Sequence, residues 1–273
     1  MPFAAFRTLR YFTFENLSRE GVVHGVFTRR GGVSPRPWEG LNMGATVGDD
    51  WGRVQFNIRL AFEALGLSVG ARFDAWLVHG RDAVVAHAPR PVTAPEPPPK
   101  ADIILTANPE VTLIMRFADC VPVLLYDPHH HALALAHAGW KGTALGTAAA
   151  AVEAMTQAFG SRPEALYAAI GPSIGPDHYE VGPEVAAQIQ DAFGSQADSL
   201  LSQRQGSIFL DLWTANRLHL QRAGVPAERI EVAEICTACH LEDWYSHRAE
   251  KGRTGRFGAL LALPNAPRRT SHA

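Results

Sequence analysis

The sequence predicts an α+β fold. Two strand-length apolar runs, VTLIMRFADC with VPVLLYD at 111–127 and HALALAHAGW at 131–140, follow one another across a DPHH turn. Segments of helical period occur elsewhere, but strands and helices do not alternate as a doubly wound parallel sheet requires. Hydrophobic residues are 47% of the 273 and charged residues 19%, enough for a sizeable core and far from the composition of a disordered chain.

The elements follow in order. The first third reads as short strands and turns, with the glycines of FTRRGGVS and GLNMGATVGDD marking tight bends. A helix is predicted over 51–65, where Val54, Ile58, Ala61, Phe62 and Leu65 share one face and Gly66 supplies the stop. AWLVHG at 75–80 reads as a short buried strand ending in His79 and Gly80. APRPVTAPEPPPK at 88–100 is too rich in proline for helix or ladder, and reads as a surface excursion rather than a domain boundary. KGTALGTAAAAVEAMTQAFG at 141–160 predicts one alanine-rich helix, opened by Gly142-Thr143 in a capping position and closed by Gly160. A strand and a Gly/Pro loop are expected at 165–175, helices at 183–193 and 212–224, a strand running into a loop at 229–240, and a last strand at 256–263.

Lys+Arg of 25 against Asp+Glu of 27 gives a formal charge of −2, so no global field steers the chain toward nucleic acid or an anionic membrane. A small-molecule partner is the expectation. The first residues lack the continuous apolar run of a secretory signal, and no stretch reaches the roughly 18 residues of a membrane span. Three cysteines, an odd number, argue against a disulfide framework and for a reducing cytoplasm.

His79, Cys120 and His137 each sit near the end of a short apolar run, just before a glycine or proline turn. Two imidazoles and one thiolate are a zinc ligand set, and three protein ligands leave a position for water or substrate. Spacings of 41 and 17 residues alone leave open whether they share a metal or are satisfied core side chains. After His137 come a glycine turn, Lys141 and a helix N-terminus, a place for a phosphate beside the metal; alternatively Lys141 is a solvated lysine. Neither GxGxxG nor GxxxxGK[ST] occurs. CTACH at 236–240 matches the haem-attachment pattern of exported proteins, but the chain shows no signal peptide. As half a zinc ribbon it lacks a second CxxC, so it reads as loop cysteines and a histidine near the site. His129, His130 and His131 read as a solvated turn, and the arginines of SHRAEKGRTGR at 246–256 as a clamp for phosphate or carboxylate or an ordinary charged loop.

Taken together, VHG at 78–80, ADCVPVLLYDP at 118–128, AHAGWKGT at 136–143, AAIGPSIGPDHYEVG at 168–182 and the CT…YSHR…GRTGR tail resemble the YfiH-like family. That family is called laccase-like or polyphenol oxidase in older usage and purine nucleoside phosphorylase in newer. TRRGGVS…LNMG…VGDD near the start extends the resemblance over nearly the whole chain, which implies a single domain over 1–273 with the excursion at 88–100. The resemblance implies a layered α/β/β/α sandwich with mixed sheets, shared with toxin-like cysteine deamidases, and a zinc on His79, Cys120 and His137, also the catalytic residues. It implies phosphorolysis of adenosine, inosine, guanosine or methylthioadenosine, with deamination of adenosine. The substrates would be a purine nucleoside and phosphate, with Lys141 and Arg248 on the phosphate. Asn42, in a glycine-flanked loop, is a candidate hydrogen-bonding residue or an Asx turn.

Members are also linked to copper-dependent phenol oxidation and cell-wall precursor editing. The same ligands bind copper, but a multicopper oxidase needs further histidine-rich sites that one three-ligand cluster does not supply. A third reading makes Cys120 a nucleophile and His137 its base, in a Cys-His hydrolase. Zinc and nucleophile readings compete for the same sulfur.

Overall fold

The computed structural model describes residues 2–91 and 96–264. Its strands are β1 (Phe3–Phe6), β2 (Leu9–Phe12), β3 (Val23–Phe27), β4 (Arg72–Phe73), β5 (Ala83–Val85), β6 (Ile103–Thr106), β7 (Thr112–Phe117), β8 (Val121–Asp127), β9 (Ala132–Ala138), β10 (Tyr167–Ile170), β11 (Glu180–Val181), β12 (Leu201–Arg204), β13 (Ser207–Leu210), β14 (Ile230–Val232) and β15 (Phe257–Ala262). Its helices are α1 (Glu15–Arg19), α2 (Trp51–Ala64), α3 (Trp140–Ala144), α4 (Thr147–Phe159), α5 (Pro183–Phe193) and α6 (Leu212–Arg222). A first six-stranded sheet runs β1-β2-β3-β15-β7-β4, a second β14-β10-β8-β9-β6-β5, and a small one β11-β13-β12. Both large sheets are mixed: β4–β7, β5–β6 and β10–β14 are parallel pairs among antiparallel ones.

Strand alternation builds the layers. In the second sheet Ile104, Leu124, Leu133 and Leu135 face the first sheet, meeting Leu113, Met115, Phe117, Phe257 and Leu261. Their neighbours Ile103, Leu105, Val123 and Leu125 turn the other way, onto Ala148, Ala151, Val152 and Met155 of α4 and Leu212, Ala215 and Leu220 of α6. On the outer face of the first sheet, Phe27, Ile114 and Leu260 pack against Val54, Ile58, Ala61 and Phe62 of α2. Each fully buried side chain of that size contributes about 1.5–3 kcal/mol. The order is helix, sheet, sheet, helices, as the α/β/β/α expectation requires.

α2 begins where the Asp50 side chain accepts from the Arg53 N–H and ends before Gly66 in the left-handed region. Two expectations need correction. Residues 75–80 form no buried strand: only Trp76 makes an isolated bridge, to Lys100, and Trp76 and Val78 are exposed. The Asp102 carboxylate takes the N–H groups of Val78 and Gly80 in place of a ladder. The helix predicted at 141–160 is two helices. α3 starts after Gly139, not at Gly142-Thr143, and Gly146, at φ +78°, turns the chain before α4. The hairpin β12–β13 and α1 have no counterpart among the sequence-based expectations. Of the proline-rich excursion, residues 92–95 lie outside the described residues. Among the described residues no helix is long and apolar enough to cross a membrane.

Candidate metal centre

His79, Cys120 and His137 come together at one end of the second sheet. One donor atom from each lies within 4.8 Å of the others, with Cys120 Sγ 4.0 Å from His79 Nε2 and the imidazole centroids 5.0 Å apart, edge to face. His137 follows Leu133 and Leu135 on the inward face of β9, so alternation puts its ring at the rim of the inter-sheet core, beside Phe117. Cys120 occupies the tight turn between β7 and β8. His79 and Asp119 hold positive φ, +58° and +81°, so one member of the cluster and the neighbour of another are non-glycine residues in the left-handed region.

Asp102, absent from the sequence-based candidates, organises all of this. Its Oδ1 accepts from His137 Nδ1 at 2.9 Å, while Oδ2 accepts the N–H groups of Val78 and Gly80 at 3.0 and 2.7 Å, clamping the backbone on both sides of His79. A carboxylate on Nδ1 fixes the tautomer and leaves His137 Nε2 as the lone-pair donor, the arrangement metal-binding histidines use. Gly139 is the complementary device: a Cβ there would lie 2.9 Å from Cys120 Sγ and 3.2 Å from His79 Cδ2. The donor set, the oriented imidazole and the space kept by Gly139 fit a zinc with an open position.

Burial opposes the Cys120 thiolate, but the charge and hydrogen bond of His137, aided by His79, lower the thiol to about 6. Burial likewise opposes the His137 cation, and Cys120 with Asp102 raises it to about 9. Without a metal, the pair at neutral pH is thiolate and imidazolium.

The cluster opens into a cavity of about 1000 Å³. Trp76, Trp140 and Tyr179 supply aromatic walls; Arg72, Arg90, Arg116, Arg248 and Arg256 supply cations, against Asp74, Glu96 and Asp119. Arg116 donates to Asp74 at 2.7 Å, and Arg248 lies over the Tyr179 ring, 5.1 Å from its centroid, with its backbone N–H on Asp119.

A family model described as multi-copper polyphenol oxidoreductase laccase matches residues 23–264. The purine nucleoside phosphorylase YfiH of Escherichia coli is 32% identical over 246 residues, 89% of this chain and 95% of that one. The chain belongs to the YfiH-like family. Among its YfiH-like relatives, a purine nucleoside phosphorylase of Deinococcus radiodurans is 38% identical over 253 residues, 92% of this chain and 93% of that one. The crystal structure of YlmD from Geobacillus stearothermophilus superposes with a TM-score of 0.90 at 34% identity, covering 97% of this chain and 99% of that one.

Within this YfiH-like fold the three expected substrate contacts fall differently. Arg248 lines the cavity. Lys141 is exposed on the first turn of α3 and does not line the cavity, the arrangement of the solvated lysine that the sequence also allowed. Asn42 is fully buried with its amide saturated: Nδ2 donates to the Gly44 carbonyl and Asp49, and Oδ1 accepts from the N–H groups of Gly44 and Arg256. The Gly44 N–H on Oδ1 closes an Asx turn, the second of the two readings of Asn42, and no amide atom is left for a substrate. Asn42 instead positions the backbone of Arg256, whose side chain is in the wall.

Proposed function

We propose that this chain is a zinc-dependent purine nucleoside phosphorylase. His79, Cys120 and His137 hold the metal, and adenosine, inosine, guanosine or methylthioadenosine is cleaved with phosphate to the free base and the ribose 1-phosphate. One observation carries the reading: a His-Cys-His cluster opening onto a cavity with both aromatic walls and a row of arginines. The names of the relatives support it. When bound, zinc supplies Lewis-acid polarisation of an oxygen nucleophile. Arg248 and Arg256 neutralise phosphate at the cluster, a task for which guanidinium forks suit better than Lys141. Trp76, Trp140 and Tyr179 offer faces for the purine. Deamination of adenosine at the same cluster is part of this reading, with an oxygen of water in place of phosphate.

The test is product chromatography on adenosine with the zinc-loaded protein. Adenine and ribose 1-phosphate should form only when phosphate is supplied, and inosine should form without it. No turnover of adenosine, inosine or guanosine would overturn the assignment.

A second reading has one observation in its favour: Cys120 beside His137, itself oriented by Asp102, is the nucleophile, base and orienting carboxylate of a cysteine hydrolase. Copper in place of zinc would use the same donors, and phenol oxidation by copper-loaded protein tests that variant.

A further inference from the structure

Away from the cavity cluster, the CTACH segment meets a histidine from another part of the chain. Cys236 and Cys239 lie on one turn, and the loop after β10 brings His178 to them, its Nδ1 3.4 Å from Cys239 Sγ and 3.8 Å from Cys236 Sγ. All three donor atoms lie within 4.8 Å of one another, and both cysteines are free thiols. Zinc bonds of about 2.3 Å to sulfur and about 2.05 Å to imidazole nitrogen at a tetrahedral angle would set S and N about 3.6 Å apart. The two observed separations bracket that edge, more closely than the 4.0 Å between Cys120 and His79. The Gly175 N–H donates to Cys236 Sγ at 3.2 Å, a bond that strengthens when the sulfur is a thiolate. A Cβ at Gly175 would stand 3.0 Å from Cys236 Cβ, so the close approach needs glycine there.

We propose that His178, Cys236 and Cys239 form a second zinc site, with water in the fourth position, that ties the loop after β10 to the turn after β14. Cys239 and His178 are exposed and Cys236 buried, so the site loads from solvent and is anchored from within. Its consequence reaches the cavity. Tyr179, next to His178, is in the wall, and Thr237, next to Cys236, donates to Asp119 at 2.7 Å, beside Cys120. An ion here holds the wall without touching substrate.

The reduced, metal-free protein is titrated with zinc against a colorimetric chelator, and Cys239 alkylation is followed by peptide mass spectrometry. Wild type should take up about two equivalents per chain, Cys239→Ser about one, His79→Ala about one, and the double variant none. Saturating zinc should protect Cys239 of wild type from alkylation, a readout that needs no variant. A single equivalent in wild type with Cys239 alkylated equally with and without zinc overturns the site. So does a Cys239→Ser protein that still binds two equivalents, or a Cys236–Cys239 disulfide that forms in preference to zinc binding. Nucleoside turnover does not enter, so the outcome is independent of the proposed activity.

Discussion

The Asp102 carboxylate is the residue on which the cavity cluster turns. In Asp102→Asn, the amide oxygen can still accept the N–H groups of Val78 and Gly80, so its nitrogen faces His137 Nδ1. Two donors cannot share that contact, and His137 must shift its proton to Nε2, the nitrogen needed for metal. Zinc affinity at this centre should fall about 10–100-fold, as for other carboxylates behind metal-bound histidines. Chelator competition in a Cys239→Ser background measures it; unchanged affinity would mean that Asp102 only braces the backbone. The thiol gives a second test. A Cys120 lowered to about 6, against about 8.5 for an ordinary thiol, is mostly thiolate at neutral pH. In metal-free protein its alkylation rate should fall as pH drops through about 6 and level off above pH 7, and zinc should suppress it throughout. An inflection near 8.5 would remove the thiolate–imidazolium pair. The three proposed ligands stand out in the sequence because each lies near the end of an apolar run beside a turn residue, but spacing leaves a shared metal open and it is the family resemblance that groups them. Asp102 is not, since its role lies in contacts 22 to 35 residues away that no local pattern records.

At the scale of elements, periodicity locates α2, α5, α6 and the β8–β9 hairpin, and misleads where alanine is abundant. The stretch 141–160 has helix-forming composition throughout, so nothing local separates a glycine within a helix from one that ends it. The Thr147 hydroxyl binds the carbonyls of Gly142 and Gly80, both at 2.8 Å, tying the break to the loop after His79. Replacing Gly146 decides the matter by sign. In a continuous helix, alanine would stabilise by about 1 kcal/mol. Here Gly146 has φ +78° and a Cβ would meet only His219 at an ordinary 3.7 Å, so the cost is in the backbone alone. Gly146→Ala should destabilise by about 1–2 kcal/mol, read as a fall in the urea midpoint with an unchanged slope. A rise would restore the single helix.

At the scale of the molecule, the cavity is assembled by topology. β15, from the end of the chain, inserts between β3 and β7 and sets Gly258 opposite Arg116, which brings Arg256 to the same wall. Sequence spacing cannot show this, which is why Arg116 escapes the sequence reading, while Arg248 and Arg256, both in the charged run 246–256, do not. The residues of the cluster are equally dispersed: His79 lies in the loop between β4 of the first sheet and β5 of the second, Cys120 in the turn that carries the chain from β7 of the first to β8 of the second, and His137 on β9 of the second. Unfolding either sheet scatters them, so zinc binds the native state alone and its affinity is linked to global stability. In the Cys239→Ser protein, which isolates the cavity centre, zinc at about 100 times its Kd should add about 2.7 kcal/mol. For a chain of this size that is a rise in Tm of roughly 5–10 °C, and a chelator should reverse it. His79→Ala in the same background should show no such response, because two remaining protein donors hold the ion too weakly to stabilise the native state. An equal rise in both proteins would place the ion elsewhere and separate the His-Cys-His cluster from the stability of the fold.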